Sequence, residues 1–345
     1  MTQSAAVTLF LQRIFDSFAN GSAYAALAVA ISMVFRSTGV LNLAQGQMAM
    51  LSAYIAVVFA AGADPSVAFS GWLTPFATPW PIWAAVAGAV AVSAVVGALL
   101  EYTVIRPMGG DPVPTIGATL GLYLLIGAFV VKHFGGRQRF LGSPFPQEHT
   151  DRFIIGGARL WFDTIGLTLA MLAAIGVLAL IQRTTRVGLA FRAITSNRDS
   201  SALVGIRVEW VVMGGWAVAA ALGGLAGGLI AGEFNVRPDM MERLLVFGLA
   251  AATLGGLRSP ALALAGGYLF AFAETMMSGY VGFIDSQVTL VWALAVLIVV
   301  LSVRPSGLLP RKAARGGSAN DRPAPRLAGS RGLAFRKGAD GSHRS

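Results

Sequence analysis

Between residues 14 and 304 the chain is close to an unbroken succession of apolar windows, near 14–35, 39–61, 81–105, 114–132, 164–183, 208–232, 244–258, 260–281 and 286–304. A helix that crosses a bilayer needs about 20 predominantly apolar residues. In hydrocarbon every backbone N–H and C=O must be satisfied within the protein, so windows of this length fold as helices. The expected fold is therefore all-α: a polytopic transmembrane helical bundle of about 8–10 membrane segments, some of them broken. A composition that is 55% hydrophobic and 12% charged, with a mean hydropathy of +0.68, excludes an ordinary soluble domain. The apolar beginning reads as a true first helix rather than a cleaved leader, because Arg13 is followed by Asp16, Asn20 and Ser22 with no small-x-small site to close it.

Two segments are short and interrupted by Gly and polar residues. One is Gly39-Val40-Leu41-Asn42-Leu43-Ala44-Gln45-Gly46-Gln47, the other Thr253-Leu254-Gly255-Gly256-Leu257-Arg258-Ser259-Pro260 leading to Gly266-Gly267. Interrupted helices at matching places in two halves mark the substrate path of transporters built from inverted repeats. An inverted repeat is thus expected, although the residues themselves show no alignable copy. Polar groups at bilayer depth are costly unless they face protein or water. Asn42, Gln45, Gly46, Gln47 and Glu274 are accordingly the translocation-pathway candidates, with Glu274 read as the only deeply placed acid. Uncharged amides offer both donors and acceptors, which suits a zwitterion or small polar solute. Glu101 is expected beside Arg106 near a helix end, and Gly223-Gly224 and Gly227-Gly228 are expected to let helices pack closely.

The formal charge of +10 is concentrated in the tail: residues 311–345 hold nine Lys/Arg and two Asp, which is +7 and leaves +3 for residues 1–310. The expected domains are a transmembrane body over 1–310 and a basic, disordered tail over 311–345, a solvated extension in the first reading and a contact with anionic membrane lipid in the second. No nucleic-acid motif accompanies that charge. Cysteine is absent, and His133, His149 and His343 are too dispersed for a metal site. None of the three lysines, Lys132, Lys312 and Lys337, follows a glycine, so no phosphate-cradling loop is present and the chain does not hydrolyse ATP. Serine-hydrolase and zinc-protease motifs are missing too. No catalytic residue, cofactor or metal is expected in this chain.

The one polar, helix-capable interruption of any length lies within 183–207, where five arginines face one acid, Asp199. Positive charge of this kind is retained on the cytoplasmic side, as are Arg106, Arg258 and the Arg304/Arg311/Lys312 end. The loop 133–163 falls outside despite its own arginines. Ser196-x-x-Asp199 reads as a capping box opening a short helix that stops at Gly205. The loop looks like a docking surface for a cytoplasmic partner.

Gly39–Gln47, the loop 187–206, Leu254-Gly255-Gly256-Leu257-x-Ser259-Pro260-x-Leu262-x-x-x-Gly266-Gly267 and Arg304-Pro305-Ser306-Gly307-Leu308-Leu309 occur in one order over roughly residues 10–311. Together they resemble the branched-chain amino-acid ABC transporter permease family, in particular its LivH-like subunit. The resemblance implies a multi-pass permease of the bacterial inner membrane. Its implied partners are a second, LivM-like permease, two ATPase subunits that bind the ATP, and a periplasmic solute-binding protein. It also implies an ATPase-coupling loop carrying Gly188, Arg192, Ala193, Asn197, Asp199, Ala202, Gly205 and Ile206. Relatives usually carry His where this chain has Gln45, which argues against a titrating imidazole there. Permeases for urea and short-chain amides share the same features and stand as the alternative substrate class. A stand-alone secondary transporter or channel is disfavoured by the scarcity of deep carboxylates.

Overall fold

The computed structural model describes residues 3–62, 78–148, 150–233, 235–280 and 286–303. The tail 311–345, the Arg304–Leu309 ending and His149 lie outside the described residues.

Each apolar window has become a helix, with ends mostly within a few residues of those expected; the exceptions are the first, which starts at Gln3 rather than near 14, and the second, which starts at Gln45 rather than near 39. The first four are α1 (Gln3–Thr38), α2 (Gln45–Ala61), α3 (Ile82–Leu100) and α4 (Pro112–Phe134). A π-helical turn, Glu101–Ile105, extends α3. After α5 (Phe162–Thr184) come two short helices, α6 (Arg186–Ser196) and α7 (Arg198–Leu203), and then α8 (Val208–Ile230), α9 (Glu242–Gly255), α10 (Pro260–Tyr280) and α11 (Ser286–Val303). Among the described residues six helices are long and apolar enough to cross a membrane, while α2 and the Leu290–Val300 stretch of α11 are shorter and apolar. Between α4 and α5 the chain forms an antiparallel hairpin of β1 (Arg152–Ile155) and β2 (Ala158–Trp161), turning at Gly156 and Gly157, both with positive φ. A glycine pair fits such a turn because both central residues must visit φ > 0.

The expected inverted repeat is visible in the directions of the helices. α1 runs from the hairpin, where Thr8 Oγ1 donates to the Gly156 carbonyl at 2.8 Å, to α6, where Arg36 lies over the Phe191 ring. α8 runs the other way, from Gly215 beside Phe191 to Gly232 beside Ser143. α2 and α3 pack on α8, and α9 and α10 pack on α1. Within each set the relation is the same. α2 lies parallel to α8 (Gln45 at Ala219, Ala49 at Gly227) and α9 parallel to α1 (Gly248 at Leu27, Leu257 at Ser32). α3 and α10 return antiparallel, placing Ile82 at Gly142 and Gly279 at Arg13. α4 then leans on α2, and α11 on α9.

Small residues bring the backbones together. A Cβ on Gly227 would overlap the Ala49 carbonyl, one on Gly97 of α3 would overlap Ala220, and one on Gly267 of α10 would overlap the backbone of Ala25. Tight approach of this kind replaces the hydrophobic drive that lipid cannot supply between helices. Glu101, 2% exposed, takes the Arg106 guanidinium at 3.1 Å, and Arg106 also reaches Glu209 at the start of α8 at 3.3 Å. Glu101 stands beside Arg106 as the sequence suggested, and the contact with Glu209 ties the end of α3 to α8.

Candidate functional site

α2 and α9 are half-helices. Both begin inside the bundle, and neither has a side-chain cap at its N-terminus. Their first turns meet. A Cβ on Gly46 would stand 2.9 Å from Leu245 Cβ and 3.2 Å from the Met241 carbonyl oxygen, so only glycine allows the approach. The depth of this junction is fixed by α4, whose middle residue, Tyr123, donates its hydroxyl hydrogen to Glu242 Oε1 at 3.2 Å. The Gln47 side chain of α2 lies beside the same Tyr123 hydroxyl, and its carboxamide lies 3.6 Å from where a Cβ of Gly127 would be. A chain of three polar groups, Gln47, Tyr123 and Glu242, therefore bridges α2, α4 and α9 at mid-depth. Glu242 and Arg243 are exposed on the surface of the chain while Gln47 is buried, its Oε1 without a hydrogen-bond partner.

The sequence-derived candidates separate into three places. Asn42 and Gln45 form a closed network: Asn42 Nδ2 donates to Gln45 Oε1 at 3.1 Å, the Ala44 N–H donates to Asn42 Oδ1 at 3.0 Å, and Gln45 Nε2 donates to the Ala219 carbonyl at 2.9 Å. They fasten the break before α2 onto α8 and are 2% and 0% exposed. Gly46 and Gln47 face the junction with α9 and α4. Glu274 stands apart, in a cavity of about 450 Å³ at the hairpin end, lined also by Arg13, Asp16, Trp161, Thr164 and Glu233. Its Oε2 accepts from the Thr275 hydroxyl at 3.4 Å. An adjoining hollow shares Trp161, Thr164 and Glu233 and adds Asp163 and Gln147. Glu233 opens into this space, yet partial loss of solvation, followed by the charges of Asp163 and Asp16, pushes its pKa up to about 7.

Glu274 is thus not the only deeply placed acid. Glu242 lies outside the apolar window that starts at 244, with Arg243 between them, and it is the hydrogen bond from Tyr123, at the middle of α4, that sets it at mid-depth. Its position in the repeat was a usable signal: as the first residue of α9 it is the counterpart of Gln45, the first residue of α2.

At the opposite end, the polar loop is two helices rather than one. Thr185 caps α6 by accepting from the Gly188 N–H at 3.1 Å, and Asn197 caps α7 by accepting from the Ser200 N–H at 2.9 Å. The capping box at Ser196 does not form, because α6 continues through Ser196 and the extended residue needed at an N-cap is Asn197. Asp199 still lies in the first turn of α7. Gly205 has φ +85 and stops the chain after α7, as expected. Gly188 packs on the Gln182 backbone, where a Cβ would overlap it, and Arg192 Nη1 donates to the Gln182 carbonyl. Phe191 and Ile194 are buried against the body, with Ala193 and Ile206 half-buried. Arg192, Asn197, Asp199, Ala202 and Gly205 face outward beside Leu203 and Val204, which are 89% and 76% exposed.

The family described as branched-chain amino acid transport system / permease component matches residues 13–301. The high-affinity branched-chain amino acid transport system permease protein LivH of Escherichia coli K12 is 28% identical over 314 residues, covering 88% of this chain and 96% of its own length. The corresponding BraD permease of Pseudomonas aeruginosa is 25% identical with the same coverage, and a probable LivH of Methanocaldococcus jannaschii is 25% identical over 82% of this chain and 87% of its own. No solved structure matches the chain. An inverted bundle of apolar helices, two half-helices meeting at mid-depth and a family match over most of the length converge on one conclusion: the chain is a multi-pass transport permease, not an enzyme, and belongs to the branched-chain amino acid transport system permease family.

Proposed function

We propose that the chain is one transmembrane subunit of an ATP-binding-cassette importer for branched-chain or related amino acids, residing in the bacterial inner membrane, with residues 1–310 forming the transport domain and 311–345 a basic tail. The observation that carries this reading is the mid-depth junction of α2 and α9 beside an exposed carboxylate. A charged side chain at that depth is expensive unless it faces protein or water. Glu242 therefore faces a second permease across a shared path. The uncapped first turns of α2 and α9 present backbone N–H groups and the positive ends of two helix dipoles, which suit a substrate carboxylate. Glu242, oriented by Tyr123, suits the ammonium of the same zwitterion. Gln47 supplies the remaining polar contact.

The opposite surface provides the drive. α6 is clamped to the body by Phe191 and Ile194, so force applied to α7 reaches α1, α5 and α8 directly. Leu203 and Val204, flanked by Asp199 and Arg192, form an amphipathic knob suited to a groove on an ATPase subunit that binds the nucleotide. The outer bowl around Glu233 and Glu274 faces the side from which a periplasmic solute-binding protein delivers its ligand. The deciding experiment reconstitutes the complete complex in proteoliposomes with ATP inside and measures uptake of labelled leucine, isoleucine, valine and urea. Leucine-class uptake that depends on the binding protein is expected. Uptake of urea without amino acids would move the chain to the other substrate class, and ATP-independent uptake by this subunit alone would refute the importer reading.

A further inference from the structure

A separate cleft of about 330 Å³ lies toward the α6 end. α1 contributes its floor at Val29, α5 and the start of α10 its two walls, and α6 its lip. Three arginines from three helices meet there, Arg36 of α1, Arg183 of α5 and Arg192 of α6, and among the described residues no carboxylate lines the cleft. Deeper in, the lining is apolar, with Leu172, Ile175, Leu178 and Leu264. Gly176 leaves the wall of α5 open: an added Cβ there meets nothing within 4 Å. Next to it, Val177 and Leu180 are 56% and 60% exposed, so α5 offers an apolar outer face beside the cleft.

The dimensions fit one leaflet. Arg183 and Leu172, eleven residues apart on α5, are separated by roughly 16 Å at 1.5 Å per residue. Half of a hydrocarbon core is about 15 Å. The cationic heads are also held in place. Arg36 lies 5.5 Å from the Phe191 ring centroid, and Arg192 donates to the Gln182 carbonyl. A guanidinium has five donors in a planar fork, so the single bond from Arg192 leaves that side chain donors for phosphate oxygens.

We propose that this cleft binds one anionic phospholipid from the leaflet on the α6 side. The phosphate sits among Arg36, Arg183 and Arg192, and an acyl chain lies over Gly176 against Ile175 and Leu264. Basic clefts between transmembrane helices on this side of a membrane hold anionic headgroups. A neutral or soluble ligand would use only half of the site. Since Arg192 belongs to α6, a bound lipid ties that helix to α1 and α5.

The test uses the full complex in detergent, titrated with long-chain phosphatidylglycerol, long-chain phosphatidylcholine, dihexanoyl phosphatidylglycerol and inorganic phosphate. Retained lipid is counted by native mass spectrometry, and stability is followed by thermal unfolding. The wild type should retain one more long-chain phosphatidylglycerol than Gly176→Phe, which fills the slot without changing charge. Arg183→Gln should weaken retention roughly five-fold, the effect of one basic residue at a membrane surface. Gly176→Ala, which leaves the slot open, should match the wild type and controls for folding. The tail is identical in all variants, so its own attraction for anionic lipid cancels. Equal retention by the wild type, Gly176→Phe and Arg183→Gln overturns the proposal, as does a wild-type complex that retains no lipid. Phosphatidylcholine binding as strong as phosphatidylglycerol, or a full response to inorganic phosphate or the dihexanoyl lipid, overturns it as well.

Discussion

Replacing Asn42 and Gln47 separately by leucine distinguishes a structural amide from a transporting one. Asn42 is 2% exposed, and both ends of its carboxamide are engaged within the break, donating to Gln45 Oε1 at 3.1 Å and accepting from the Ala44 N–H at 3.0 Å. In Asn42→Leu both partners are left buried and unsatisfied. An orphaned polar group costs about 1–3 kcal/mol, whereas polar contacts within membrane bundles average about 0.6 kcal/mol. Two orphans at the lower end of the first range make a loss of about 2 kcal/mol. Gln47 differs because its Oε1 has no partner. Gln47→Leu removes an unsatisfied carbonyl and the polar neighbour of the Tyr123 hydroxyl together, so stability should change by less than about 1 kcal/mol. Uptake should nevertheless fall about ten-fold, one hydrogen bond's worth at the upper end. Thermal unfolding of the purified complex and leucine uptake at matched protein levels provide the two readouts. A normal melting temperature with lost uptake in Asn42→Leu would put Asn42 in the path, and normal uptake in Gln47→Leu would remove the polar chain from the transport site.

Glu242→Gln keeps the shape and the hydrogen bond from Tyr123 but removes the charge, so uptake of a zwitterionic substrate should drop about ten- to hundred-fold, the range for a charge-assisted hydrogen bond; unchanged uptake in proteoliposomes would show that the ammonium is recognised elsewhere. Glu233 holds its proton more tightly in the native protein, with a pKa of about 7 against an ordinary 4.5. Its contribution to stability is therefore full below 4.5 and is lost as pH rises toward 7. The melting temperature should decline across that window in the wild type and flatten in Glu233→Gln, and an identical slope in both would discount this carboxyl. Gly205→Val places a β-branched residue at φ +85, a strain of about 1–2 kcal/mol, and should lower binding-protein-stimulated ATPase activity without affecting membrane insertion; full stimulation would free α7 from the coupling role.

The bilayer made much of this fold legible, since apolar runs long enough to cross it have few alternatives to the helix, and the Gly- and amide-rich breaks stand out against them. Arg106 and Glu101 were readable only as neighbours at a helix end; it is the π-helical turn over Glu101–Ile105 that brings residues five apart together. The hairpin also had a local signature: Gly156-Gly157 between Phe153-Ile154-Ile155 and Leu160-Trp161, in a region set aside as a loop. What could not be read locally was which break residues face one another. Asn42, Gln45 and Gln47 share one composition and one segment, but α8 claims the first two and α4 the third. Glu242 reached mid-depth only through the repeat that pairs α9 with α2. At the polar loop, Ser196 and Asn197 compete for the same capping role, and the length of α6 decides between them.

The backbone contacts at Gly97, Gly227 and Gly267 also determine what can move. A carbonyl or Cα at van der Waals distance has no rotamer with which to yield, so α2 and α3 with α8, and α10 with α1, form two stiff units that the packing of α1 on α8 joins into one plate. By contrast, Gly117 and Gly121 of α4 and Gly176 of α5 meet no neighbour within 4 Å. Those helices rest on the plate through side chains alone and can tilt while it stays intact. If α6 carries the coupling proposed above, a stroke delivered there would swing the rim rather than bend the plate, and because Tyr123 sits on α4, the same swing would make or break its bond to Glu242.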